Sequence, residues 1–501
     1  MSWRRVIGNL AWVTMLRIGM AAMGFAQFWL LSHRLDAKGL GGFSLLMGLF
    51  VMLQSLPLLG LNTPLVRRVA AEPSALGVEI TNSLAFGLPI AALLAMGLSG
   101  YGAWARPDLL VPFTLLGLCM LPTAWTLVAE CGLMGLEALQ GVAMINLAEA
   151  TWRALGAWWS MESGWGLAGV MGTILVGRLA TALAYACHPR LPAPRWRNVS
   201  STVQARYRQE MPTYLGLSVI AALSSRLDTV LLSHLKGLSE LGIYASAARL
   251  YEASLMLSTI ANIVVFPRLS QLYATNPQAF RHLLDRCLRW TMLAGLPMVL
   301  CGMAVAPVLI RVVYIPSLWG AAPVLQCLFI ATWLMALDQL LSSTMIATQS
   351  QRHDLSAMVL GTLATVVLIA LFSHGFGLTG AAAGLTTALA LRVWRRLRWA
   401  DQSLPLPGLQ AYALRALLAA LGAIALFCWA QGDAATAIAG GGHLHPLPTG
   451  WQSTDVLRLA LAGLVGVSAH AGLALLLNAW SEGHRDDWRR LQSALLTRKQ
   501  A

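Results

Sequence analysis

The sequence predicts an all-α membrane protein of about 14 transmembrane helices: two parallel six-helix lobes and two carboxyl-terminal helices. Three observations predict it. The chain is 57% hydrophobic and only 11% charged, with a mean hydropathy of +0.64, far more apolar than a soluble domain. Apolar windows of roughly 20 residues, each enough to cross a hydrocarbon core of ~30 Å as a helix, recur along nearly the whole length. Finally, one stretch is used twice: "LLSHRLDAKGLGGFS" from Leu30 returns as "LLSHLKGLSELGIYA" from Leu231. Leu40 then matches Leu241, Gly41 matches Gly242 and Phe43 matches Tyr244 at the same offset of 201 residues.

Spans are expected to begin near Val6, Leu40, Ile80, Leu109, Leu136, Trp165, Pro212, Glu240, Leu284, Gly320, Leu355, Phe376, Leu409 and Thr454. The first could be mistaken for a signal peptide, but its apolar run continues past any cleavage point and carries Arg17. With the amino terminus inside, the even connections and both ends hold most of the arginines, among them Arg67, Arg68, Arg190, Arg195, Arg197, Arg206, Arg392 and Arg396. The odd connections hold only Arg34, Lys38, Arg106, Lys236 and Arg311. The positive-inside rule therefore places both termini in the cytoplasm, and it accounts for the net charge of +14 without nucleic acid.

Residues 1–190 form the first lobe of this reading, 212–400 the second, 401–480 the extra pair of spans and 481–501 an amphipathic cytoplasmic tail with Trp488, Leu491 and Leu495 on one face. Between the lobes, 191–211 is a Pro- and Arg-rich cytoplasmic linker expected to lie along anionic headgroups. Six spans precede it and six follow, so the repeats are parallel, related by an axis along the membrane normal.

Several chemistries are excluded. None of the three lysines sits in a phosphate-binding G-x-x-x-x-G-K-[ST] loop. The longest external connection, near 431–453, has one acid, Asp433, and no arginine, which argues against a glycosyltransferase or polymerase. His443 and His445 lack a third ligand for a metal, and the seven cysteines have no metal-type spacing and read as packing residues. No cofactor is expected, apart from a coupling H⁺ or Na⁺.

Charges inside spans carry the remaining information, because each costs roughly 2.5–3.5 kcal/mol on insertion. Glu149 and Arg153, at i, i+4, read as a self-neutralising pair, and Arg249 and Glu252, at i, i+3, as either structural or functional. Arg17 lies about 16 Å into its span with no acid on its helix. Thr14, Ala21 and Gly24 leave space on its face, so it reads as cavity-facing. Arg178 is likewise unpaired within its span. Arg226 and Asp228 point about 200° apart, so each needs a partner elsewhere. Candidate anion-binding residues are thus Arg17, Arg178, Arg226 and Arg249, and candidate ion-coupling acids are Asp228, Glu252 and Asp338.

The stretches "NLAWVTMLRIGMAAMGFAQFWLLSHRLDAKGLGGFSLL", "SRLDTVLLSHLKGLSELGIYASAARLYE" and "IANIVVFPRLSQLY" resemble the polysaccharide-export and oligosaccharide-flippase branch of a superfamily that also contains multidrug-and-toxin exporters and lipid II flippases. The resemblance implies lobes that face a central cavity and open alternately to each side. The implied substrate is an undecaprenyl-diphosphate-linked oligosaccharide carried to the periplasmic leaflet of the bacterial inner membrane. Membrane lipids, and a polysaccharide polymerase with its chain-length machinery, are the implied partners. Arginines in the first and seventh spans of such flippases contact the diphosphate, and Arg17 and Arg226 occupy those spans here. At the repeat offset Arg17 meets Ser218 and Arg226 meets Phe25, so the lobes do not present symmetrical arginines. A multidrug exporter should favour acids over arginines in its cavity, and a lipid II flippase is the other alternative.

Overall fold

The apolar windows fold as helices because a helix satisfies every backbone N–H and C=O within its own segment, a strict requirement in lipid. A computed structural model describes residues 3–404 together with Tyr412 and Arg415. The expected features beyond these, including the spans from Leu409 and Thr454, His443, His445 and the 481–501 tail, lie outside the described residues.

The helices are α1 (Trp3–Arg34), α2 (Ala37–Leu53), α3 (Asn62–Ala71), α4 (Leu76–Ala105), α5 (Leu110–Gly135), α6 (Leu139–Glu162), α7 (Gly166–Ala186), α8 (Ser201–Leu235), α9 (Leu238–Thr275), α10 (Pro277–Val313), α11 (Ala322–Ala347) and α12 (Gln351–Ser403). Among the described residues ten are long and apolar enough to cross a membrane. The amphipathic α3 is too short, and α6 carries Glu149, Arg153 and Glu162. The 53-residue α12 leaves helical geometry at Phe376 and at Gly377, whose φ is 61°. Beyond that break the chain folds back: a side chain at Gly384 would lie 2.6 Å from the Leu368 carbonyl, and one at Gly361 2.8 Å from Arg392 Cδ. Two arms therefore match the spans expected from Leu355 and Phe376. The full count of 14 is not reached within the described residues.

Two compact units result, Met1–Arg249 with Val313–Leu318, and Leu250–Val312 with Trp319–Ala501. In the first, α1 packs on α6, α4 and α7 on α5, and α2 on α8. Its core joins Leu65, Val69, Ile80, Val128 and Tyr185. The core of the second joins Phe280, Leu284, Leu288, Leu337 and Leu341.

The repeat read at offset 201 is visible in backbone geometry. Asp36 caps α2 by accepting from the Gly39 N–H at 2.8 Å, which gives the acid of the α1–α2 connection a structural role. One turn later Gly41 lies against the Leu238 carbonyl, while Gly242 lies against the Ala37 carbonyl. Leu238 is the repeat mate of Ala37, so α2 and α9 cross through a reciprocal contact of equivalent residues that only glycine permits.

Later in each copy the same caps recur. Glu137 and Gln349 each end a helix at φ 57°. Ala138 and Ser350, one residue on, each donate to the carbonyl five back, Leu133 and Met345, at 2.8 Å. The copies differ at their second helix: α2 breaks at Ser55–Leu61, with Leu59 at φ 45° and Gly60 at φ 86°, whereas α9 runs on for 38 residues.

Candidate functional site

The charged interior of the first unit is built on α6 and α7. Glu149 of α6 is 6% exposed, and its carboxylate stands 3.2 Å from Arg178 Nε of α7 and 3.8 Å from Arg153 Nε. The expected Glu149–Arg153 pair is present, but its carboxylate is shared by two guanidiniums and the closer is Arg178. Thr181 donates to the same carboxylate at 3.3 Å, and the Arg178 guanidinium lies over the Phe50 ring at 5.0 Å. Further along α7, Tyr185 donates toward Glu130 and Asn146, both at 3.3 Å.

Arg249 of α9 donates to the Gly24 carbonyl at 3.2 Å and sits over the Phe28 ring at 5.4 Å. A Cβ added at Gly24 would stand 3.9 Å from the guanidinium, in ordinary contact with it. Arg17 lies seven residues earlier, on the same face of α1 and about 10 Å along the axis. It is exposed, and among the described residues it makes no hydrogen bond or ion pair.

Arg226 sits at a kink in α8, with φ −147° and ψ 19°, beside the Gly48–Thr229 contact with α2, and is engaged by neighbouring groups. Asp228 accepts from Tyr244 at 2.9 Å. Its repeat mate is the buried Gln27, whose partner position holds Phe43 instead of tyrosine. Accordingly, the Gln27 amide nitrogen has no partner among the described residues. Arg17, Arg153, Arg178, Arg226 and Arg249 all belong to this unit, against Glu130, Glu149 and Asp228.

Glu252 is half-buried and engaged in the second unit. Asp338 of α11, 4% exposed, is held by Arg392 at 3.1 and 2.7 Å and by Arg396 at 2.6 Å. Arg396 also reaches Asp354 at 2.7 Å. Two arginines expected in a cytoplasmic connection are therefore clamped inside the unit, Arg396 being 2% exposed.

Sequence reasoning also missed Glu79. This 4%-exposed carboxylate of α4 gathers Arg68 of α3 at 3.0 Å, Arg206 of α8 at 2.5 Å and the Tyr207 hydroxyl at 2.7 Å, while Arg68 also pairs with Glu210. Burial works against the Arg68 charge, but Glu79 and Glu210 outweigh it and its pKa lies above the ordinary value. Burial, reinforced by the Glu79 charge, pushes the Tyr207 phenol up. The spacing of Arg392 and Arg396, i, i+4 on one face, was the only local sign of either clamp.

Among the described residues no three His, Cys, Asp or Glu side chains assemble to hold a metal. Of the five intramembrane arginines of the first unit Arg17 is the exposed one, and a guanidinium fork is chemically suited to a bidentate anion such as phosphate.

The polysaccharide biosynthesis protein family model matches residues 30–322. Comparison with curated proteins finds no match. Among solved structures, the lipid II flippase MurJ in its inward closed conformation aligns with a TM-score of 0.66 at 12% identity, covering 93% of this chain and 98% of that one. An inward-facing multidrug resistance MATE family transporter of the MOP superfamily aligns at 0.65 and 14% identity, covering 79% and 99%. A MOP superfamily transporter from Pyrococcus furiosus, described by the reverse polarity of its binding pocket, aligns at 0.58 and 14%, covering 80% and 95%. At these identities the likeness establishes the fold. With the family model covering more than half of the chain, this multi-pass membrane protein belongs to the polysaccharide biosynthesis protein family and has the fold of the MOP-superfamily transporters.

Proposed function

We propose that the protein is a flippase that moves undecaprenyl-diphosphate-linked oligosaccharide units from the cytoplasmic to the periplasmic leaflet of the bacterial inner membrane, by alternating access, for surface or exopolysaccharide assembly. The observation that carries this reading is the arginine excess of the first unit, with Arg17 exposed on the α1 face that meets Arg249. A diphosphate and its sugars cannot enter hydrocarbon unaided, because their charges and hydroxyls would lose water without replacement. Guanidinium forks replace that hydration while the prenyl tail stays in lipid. In this reading residues 1–190 and 212–400 are the moving lobes, both termini are cytoplasmic, and a polymerase with its chain-length machinery receives the product.

Coupling to H⁺, Na⁺ or the membrane potential is assigned to Asp228 and Glu252. Asp338 has both oxygens committed to arginines, so its proposed role becomes that of a clamp.

The test is flipping of a fluorescent undecaprenyl-diphosphate oligosaccharide in proteoliposomes, comparing wild type with Arg17→Gln and Arg249→Gln at matched folded protein. Loss of one charge-assisted contact should slow flipping about tenfold or more. Unchanged rates in both variants would remove the arginine site. Transport of lipid II or of cationic drugs in place of the oligosaccharide would move the substrate to one of those classes.

A further inference from the structure

Between α7 and α8 the chain forms a strap, 187–200, whose backbone is pinned while its arginines are exposed. Leu191 is 7% exposed and enters the core beside Leu76 and Ile80. The Arg195 N–H donates to Thr81 Oγ1 at 3.2 Å. Asn82, fully buried on α4, donates to the Asn198 carbonyl at 3.0 Å and accepts from the Ser200 N–H at 2.9 Å. Gln204 completes the pin by donating to the Asn82 carbonyl at 2.8 Å. The strap is thereby ordered without using any of its charged side chains.

Those side chains are Arg190, Arg195 and Arg197, all exposed, interleaved with Trp196 at 55% and Val199 at 41% exposure. No Asp or Glu occurs between Glu162 and Glu210. Arg68 and Arg206 nearby are matched by Glu79 and Glu210, whereas the three strap arginines make no ion pair among the described residues. The strap follows directly on the membrane-spanning α7, which ends at Ala186, and so begins at headgroup depth. There a tryptophan is favoured at the boundary of the acyl region, and arginines bind the phosphates of anionic lipids.

We propose that the strap is a preformed binding site for the headgroup phosphate of an anionic phospholipid, with Arg190, Arg195 and Arg197 as the anion ligands and Trp196 against the upper acyl chain. The exposed tryptophan and valine distinguish this partner from a soluble anion or an acidic protein, neither of which supplies hydrocarbon at that position. The site is independent of the transported substrate.

The purified full-length protein in neutral detergent is titrated with phosphatidylglycerol, phosphatidylcholine or water-soluble glycerol phosphate, reading retained lipid by native mass spectrometry and the thermal unfolding midpoint. Phosphatidylglycerol should be retained over phosphatidylcholine by a factor on the order of ten and should raise the midpoint. The triple variant Arg190→Gln/Arg195→Gln/Arg197→Gln should lose both effects while matching wild type in phosphatidylcholine. As a check that needs no variant, the preference should fade as salt rises from about 0.1 M to about 1 M and the screening length shortens from about 10 to about 3 Å. Equal retention by the triple variant, a preference that survives high salt, or the same midpoint shift with glycerol phosphate would each overturn the lipid site.

Discussion

Glu79 and Asp338 show why two buried acids in a membrane protein need not be transport residues. Each is surrounded by two guanidiniums, and each shares one of them with a second acid, Glu210 or Asp354. Removing one partner of such a group leaves a desolvated charge behind, which costs about 3–5 kcal/mol for a fully buried pair. The expectation is that Asp338→Asn approaches that range, since the Arg396 side chain is buried, and that Glu79→Gln costs less, since the Arg206 side chain is 42% exposed and screened by solvent. Unfolding midpoints in detergent check both, and a variant as stable as wild type would deny its acid a clamping role. The Glu79 clamp should also persist at high pH: the Arg68 guanidinium, raised above its ordinary value by Glu79 and Glu210, stays charged through the alkaline range and loses its contribution only as pH rises through that raised value. Asp228 differs because it accepts from the neutral Tyr244. If it and Glu252 couple transport, then Asp228→Asn and Glu252→Gln will alter the response of flipping to an imposed H⁺ or Na⁺ gradient. An unaltered response in both leaves the membrane potential as the drive.

At the scale of the element, the crossing of α2 and α9 carries the clearest consequence of the repeat. Gly41 and Gly242 each face the carbonyl that begins the other's helix, so a methyl group at either position has no room without separating the two backbones. Gly41→Ala is expected to cost about 1–3 kcal/mol through overpacking, and Gly242→Ala about the same. The double variant should cost less than the sum of the two, because the first substitution already parts the helices. Strict additivity in unfolding measurements would mean that the two glycines do not share one contact. The identity of these glycines was legible as a coincidence at offset 201. Their meeting face to face was not, since a repeat in sequence says that two segments fold alike and not that they touch.

For the whole molecule, membrane character and helical class follow from composition alone. The organisation of charge does not. Arg226 and Arg249 read from the sequence as residues of the second lobe, yet the contacts of the chain place them in the compact unit that contains Arg17, Arg153 and Arg178. That grouping puts five intramembrane arginines in one unit and underlies the proposed handling of a diphosphate. In the proposed lipid site the three strap arginines add basic character through exposed side chains beside the Asn82 pin.

The sequence by itself determined what any single segment can report: a membrane protein, its helices, the doubled unit at offset 201, and which residues carry charge where lipid penalises it. These follow from local hydropathy, from spacing within one helix and from identity between segments. Only the tertiary structure decided which charges meet. Glu79 and Arg206 are 127 positions apart, and Asp338 and Arg396 are 58 apart. Helical periodicity fixes neighbours three or four residues away and has no bearing on such pairs. The packing of α3, α4 and α8, and of α11 against both arms of α12, brought these acids and arginines together, because in an apolar interior a charge without a partner is the costlier arrangement.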